Sequence, residues 1–187
     1  MAEALVLLAP GFEEIETVAV IDVLRRSGIT VTIAGLLPDM VEGAHGIKII
    51  PDKAIEKVQM KDFDALVVPG GNPGYKNLRR DERVLEMIKD ASDSGKLVAA
   101  ICAAPAVLSD AGVLKNRKCT IYPGMESEVE NGGGEFLEDS VVVDGNLITS
   151  RGPATALHFA LKIAERLVGK EIAEAVRKKT LTEPIME

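Results

Sequence analysis

Ala4-Leu5-Val6-Leu7-Leu8-Ala9 is an unbroken apolar run of strand length, with no polar residue at alternate positions. A strand apolar on both sides must be covered on both faces, a condition met in parallel sheets sandwiched between helices. Pro10-Gly11 stops the run. Glu13, Glu14 and Glu16 then crowd the first turns of a predicted helix, where the dipole favours acids, and a glycine cap at Ser27-Gly28 ends it. Residues 30–36 read as a second strand. This β-α-β opening predicts an α/β fold built on a parallel sheet.

Further along, residues 65–68 and 97–101 are two more buried-strand runs. Between the second and third strands lie a loop with a hairpin turn (37–46), a short strand (47–50) and one or two helical turns (54–58). Asp81 N-caps a helix that runs to Ser94, and Pro105 starts another that ends at Ala111-Gly112. Residues 119–122 read as a short strand and 131–134 as a glycine-rich turn. Asp144-Gly145-Asn146 between two apolar triplets signals a hairpin. A long helix follows to Val168, then a last one over 171–179 with a loose tail. No repeat or linker interrupts the chain, so residues 1–187 read as a single domain.

Four of the strands end in unusual loops: Pro10-Gly11, Pro69-Gly70-Gly71, Cys102-Ala103-Ala104 and Ser150-Arg151-Gly152-Pro153. Open α/β sheets bind ligands beyond the carboxyl ends of their strands, near a switch in strand order. The four loops therefore gather on one edge around Cys102. There the chain turns sharply from strand to helix among small residues, as at a nucleophile elbow, and the helix N-terminus favours a thiolate. The plainer alternative is a small buried hydrophobe, the usual fate of a free cysteine.

Composition narrows the function classes. Lys plus Arg number 22 against 29 Asp plus Glu, a net charge of −7, which argues against nucleic acid and anionic membranes as partners. Two cysteines make no disulfide framework, and no apolar stretch is long enough to span a bilayer, so a reducing, cytoplasmic setting is expected. The apolar N-terminal run has no basic segment before it and is too short for a signal peptide. No metal-ligand spacing and no nucleotide fingerprint appears, so neither a metal nor another cofactor is expected.

Taken together, Leu-Ala-Pro-Gly-Phe-Glu-Glu-Ile-Glu (8–16), Asp22-Val23-Leu24-Arg25-Arg26, Val68-Pro69-Gly70-Gly71-Asn72, Ala99-Ala100-Ile101-Cys102-Ala103 and Ile148-Thr149-Ser150-Arg151-Gly152-Pro153 resemble the ThiJ/PfpI superfamily, on its Parkinsonism-associated deglycase branch. The resemblance implies a flavodoxin-like, doubly wound sandwich: a mostly parallel sheet with helices on both faces. It also implies a homodimer, for which the first helix has Val18, Ala19 and Ile21 to spare. By resemblance the reactive cysteine falls on Cys102, the site glutamate on Glu16, and the oxyanion-binding backbone N–H groups on Gly71 and Ala103. Gly70, Tyr122, His45 and Arg151 are further pocket candidates. A carboxylic acid beside a thiolate is pushed toward its protonated form, which fits Glu16 as a partner for Cys102. The alternative of a solvated first-turn acid suits Glu13 and Glu14 better.

Two departures matter. Ala103 and Tyr122 stand where relatives carry histidine, so a Cys-His dyad is poorly supported. Tyr122 is either a pocket hydrogen-bonding group or a packing residue, and His45 either faces the pocket or is a solvated loop residue. His158 reads as structural. The expected activity is that of a cofactor-independent glyoxalase or deglycase acting on small reactive aldehydes (methylglyoxal, glyoxal or their early adducts). A cysteine-based oxidative-stress sensor, with Cys102 oxidised to a sulfinate, uses the same residues; a cysteine peptidase is the weakest reading.

Overall fold

The computed structural model describes residues 1–183. In chain order, β1 (Glu3–Leu8), α1 (Glu14–Arg26) and β2 (Thr30–Gly35) form the opening unit. β3 (Val41–Glu42) and β4 (Lys48–Ile49) make a small antiparallel hairpin, and β5 (Lys53–Ala54) lies beyond it. Single 3-10 turns at Ile55–Lys57 and Met60–Asp62 lead to β6 (Ala65–Val68). Then come α2 (Gly74–Arg79), α3 (Glu82–Asp93), β7 (Leu97–Ile101) and α4 (Pro105–Asp110). β8 (Lys118–Cys119), α5 (Glu126–Glu130) and β9 (Glu135–Phe136) precede the hairpin of β10 (Val141–Asp144) and β11 (Leu147–Ser150). α6 (Ala156–Val168) and α7 (Lys170–Lys179) close the chain.

The main sheet has the order β10-β11-β7-β6-β1-β2-β5, and only the β10–β11 pair is antiparallel. This is a flavodoxin-like α/β sandwich. Side-chain alternation along β1 sends Ala4, Val6 and Leu8 to one face, against α1 and α6, and Leu5 and Leu7 to the other, where α3 and α4 pack. Residues 4–8 of this strand and Ala9 after it are all buried. At roughly 1.5–3 kcal/mol for each large apolar side chain, this strand alone ties both layers to the sheet. The strand order reverses between β2 and β6, on either side of β1, so the site edge lies beyond β1, β6 and β7.

Several expectations need correction. Residues 74–79 form a helix inside what the proline and glycine signals mark as a break, because Asn77 and Tyr75 find backbone partners at Pro10 and Gly71. α5 carried no sequence signal. The predicted strand over 119–122 stops at Cys119, since the next backbone donors leave the ladder: the N–H of Thr120 bonds the Thr149 hydroxyl and that of Tyr122 bonds the Cys102 carbonyl. Ile21 is buried in the core and is not spare for an interface. Of the tail, Thr182 is packed down and its carbonyl accepts from Arg177 at 2.6 Å. The remainder, 184–187, lies outside the described residues. Among the described residues no helix is long and apolar enough to cross a membrane.

Candidate active site

Cys102 follows β7 directly and sits at φ +64, left-handed backbone that costs a non-glycine residue roughly 1–2 kcal/mol. Its main chain is fastened on both sides. The Cys102 N–H donates to the Ser150 carbonyl at 2.9 Å, and its own carbonyl accepts from Tyr122 at 2.9 Å. The sulfur is thereby aimed by the sheet; only 9% of the residue is exposed. The backbone N–H groups of Ala103 and Gly71 face it and favour negative charge there, one adjacent in sequence and one from the loop after β6.

Glu16 reaches the same point from α1. Glu13, as N-cap, accepts the Glu16 N–H at 2.7 Å and sets the phase of the first turn, so that the Glu16 side chain points into the protein and is fully buried. One carboxyl oxygen, Oε2, accepts the Gly70 N–H at 2.9 Å. The other, Oε1, is buried without a hydrogen-bond partner. The Glu16 carboxyl lies beside the Cys102 sulfur. Burial raises the Glu16 carboxyl to about 7, against the opposing contact with Cys102. Burial, followed by repulsion from Glu16, pushes the Cys102 thiol up to about 12. Two anions side by side are thus disfavoured in this buried site, and the two groups titrate as a coupled pair.

The glycines are spaces for this pair. A Cβ on Gly70 would lie 2.7 Å from both the Cys102 Cβ and Glu16 Oε2. On Gly71, at φ +97, it would meet the Glu13 nitrogen at 2.3 Å. Backbone therefore packs on backbone where the loop after β6 meets the loop after β1; the Asn72–Pro73 peptide there is cis.

The cleft above the sulfur, about 510 Å³, is lined by Glu13, His45, Asn72, Tyr75, Tyr122 and Met125, with Ala44, Gly71, Cys102, Ala103 and Pro153. Tyr122 is half exposed on its wall. His45 enters from the hairpin loop, its Nδ1 2.8 Å from Glu14 Oε2. Gly70 lies beneath, against Glu16. Arg151 does not join them: its guanidinium turns to the Glu138 carbonyl at 2.9 Å and stacks over Phe136. His158 is also elsewhere, bonded to the Glu183 carbonyl. Glu13 and Glu14 are buried and hydrogen-bonded, contrary to the expectation of solvated acids. Tyr75 and Met125 had no sequence signal. Asn72 and Pro153 had one, within the loop motifs.

Glu13, Glu14 and His45 bring possible ligand atoms within 4.8 Å of one another. Both Glu14 oxygens already accept N–H donors, so the group is a hydrogen-bonded pair and not an open ligand set. A larger open groove, about 740 Å³, lies at the opposite end of the sheet between the 3-10 turns and α3. Arg83 there pairs with Glu56 and Asp81, and the Lys96 ammonium donates to the Met60, Lys61 and Phe63 carbonyls.

The sequence profile of the DJ-1/PfpI family matches residues 2–166. The chain is 46% identical over 176 residues to Protein dj-1beta of Drosophila melanogaster, covering 94% of each. It is 41% identical over 176 residues to the glutathione-independent glyoxalase DJR-1.2 of Caenorhabditis elegans, again covering 94% of each. The crystal structure of Drosophila melanogaster DJ-1beta superposes with a TM-score of 0.94 at 45% identity, over 98% of this chain and 99% of that one. With that fold, alignment over nearly the whole length and such identities, the chain belongs to the DJ-1/PfpI family.

Proposed function

We propose that this chain is a cofactor-independent glyoxalase that acts through Cys102 on small reactive aldehydes, methylglyoxal and glyoxal among them, or on their early adducts. The observation that carries the reading is the buried pair of Cys102 and Glu16 under a cleft, with the N–H groups of Gly71 and Ala103 facing the sulfur. The family relative named as a glyoxalase points the same way. The Cys102 thiol attacks the aldehyde carbon as its proton passes to the Glu16 carboxylate; the carbonyl π pair moves to oxygen, which takes that proton from Glu16. The carboxylate so formed then moves hydrogen from that carbon to its neighbour. The N–H groups of Gly71 and Ala103 would steady the developing oxyanion. Purified protein with Cys102 reduced is expected to convert methylglyoxal to lactate, and to lose this after peroxide treatment. No lactate above buffer, with Cys102 shown to be reduced, would sink the reading.

In that event the sensor reading takes its place: the same donors would stabilise a Cys102 sulfinate, formed by two successive oxygen transfers from peroxide. A peptidase needs an imidazole on the sulfur, and among the described residues no histidine is hydrogen-bonded to Cys102: His45 bonds Glu14 and His158 the Glu183 carbonyl.

We also propose that the chain pairs with a second copy through the outer face of α1. Ile15 and Val18 are 60% and 47% exposed there, and Ile47 of the hairpin is exposed next to them, its N–H directed at Glu14. A Val18→Glu variant is expected to sediment as a monomer at micromolar concentration where the parent sediments as a dimer. A monomeric parent would remove the proposal.

A further inference from the structure

The cleft holds an imidazole that the reaction above leaves idle. His45 lies on the loop between β3 and β4, across the cleft from β7, and its side chain is 72% exposed. Its position is nonetheless fixed. The buried Glu14 carboxylate accepts the His45 backbone N–H at 2.6 Å, its Nδ1 at 2.8 Å and the Ile47 N–H at 3.4 Å. Gly43 leaves no space beside this carboxylate, since a Cβ there would lie 2.4 Å from Glu14 Oε1. A buried carboxylate bound to Nδ1 dictates the tautomer and leaves Nε2 as the nitrogen free for the cleft.

We propose that His45 is the second proton-transfer group of this site, positioned by Glu14 and acting on the two substrate oxygens. The proposal rests on the glyoxalase reading and supplies what that reading lacks, a partner for Glu16. In the hemithioacetal of an α-oxoaldehyde, the Glu16 carboxylate removes the hydrogen on the sulfur-bearing carbon. That electron pair becomes the carbon–carbon double bond of an enediol. The π pair of the neighbouring carbonyl moves to its oxygen, which takes a proton from His45 Nε2. Glu16 then returns its proton to the second carbon. The hydroxyl on the first carbon loses its proton to His45 as the thioester carbonyl forms. Water hydrolyses the thioester, releasing lactate and the Cys102 thiol. One carbon is oxidised and its neighbour reduced, so no external oxidant enters.

The charges around the ring favour this role. Glu14 and Glu13 face it from α1, and both hold its proton on, Glu14 first through the hydrogen bond. Tyr75 and Tyr122 line the cleft from α2 and from the segment after β8, Cys102 from the elbow, with Glu16 beneath. On its own hairpin, Glu42 and Lys48 pair with each other at 3.6 Å.

The test uses the full chain and methylglyoxal, with kcat and KM followed against pH in wild type, His45→Gln and Glu14→Gln. His45→Gln is expected to lower kcat roughly 10- to 100-fold and abolish the falling limb at high pH, with KM within threefold. Glu14→Gln keeps the imidazole and moves that limb to lower pH. Turnover-independent support comes from the hemithioacetal itself, counted by mass spectrometry on reduced protein. Its dissociation constant is expected to rise at least fivefold in His45→Gln, while iodoacetamide labelling of Cys102 changes less than twofold. A His45→Gln variant with wild-type kcat and pH profile overturns the proposal. If the parent makes no lactate, the glyoxalase reading fails separately, and an unchanged adduct constant in His45→Gln then overturns the role of His45 as well.

Discussion

Glu16→Gln is expected to make the protein more stable and nearly inactive at once. Glu16 has its pKa raised from 4.5 to about 7, mainly by burial. The folded chain therefore binds this proton more tightly than the unfolded chain does. Stability from the group is complete below 4.5 and is lost as pH rises through 7, so above neutrality the carboxylate costs about 3 kcal/mol. A glutamine keeps the acceptor for the Gly70 N–H, offers the sulfur an N–H and carries no charge. At pH 8 the variant is expected to melt roughly 5–10 °C above wild type, with the difference closing toward pH 5. It cannot accept a proton from carbon, so lactate formation is expected to fall about 10³-fold. Labelling of Cys102 should be as fast as in wild type or faster, because the repelling carboxylate is gone. Equal melting temperatures at pH 8 would mean that Glu16 is not a strained acid in the fold.

The second large effect concerns a residue with no side chain. In Gly71→Ala, the new methyl would lie 2.3 Å from the Glu13 nitrogen and 2.4 Å from the Gly11 carbonyl oxygen. Both obstacles are main chain, so no rotamer change makes room, and φ +97 is itself unfavourable for alanine. A loss of about 3–5 kcal/mol in urea unfolding is expected, together with a Cys102 that labels at the rate of an unstructured thiol. Gly46→Ala is the control. Gly46 is also left-handed, at φ +86, but has open space around it, so its cost should stay near 1 kcal/mol. Similar losses in both variants would reduce the Gly71 effect to backbone strain alone.

The legible parts of this chain were those set by short-range patterning. Apolar runs of four to six residues gave the central strands, because a strand covered on both faces has no polar side to interrupt the run. The loops that end those strands pointed to Cys102, and the family motifs to Glu16, which the structure brings together from α1 and the β7 elbow. What escaped was decided between elements. Glu14 and His45 stand 31 residues apart and meet through a hairpin of two-residue strands, too short to show a period. Arg151 sits in a motif that faces the site, yet Glu138 and Phe136 from neighbouring segments claim its guanidinium. Helix α2 follows a proline and glycine cluster whose local preference is overridden by hydrogen bonds to the loop after β1.

The first turn of α1 places four different tasks on four consecutive residues. Glu13 caps, Glu14 holds the hairpin, Ile15 faces outward and Glu16 faces the thiol. Successive side chains on a helix point about 100° apart, so these tasks are distributed by angle as much as by residue type. A substitution alters one of them. A single residue inserted or deleted between Pro10 and Glu13 would rotate the whole set, delivering the hydrophobic side chain to the sulfur and the acid to solvent. The length of that short connection is therefore as much a part of the site as the residues it positions.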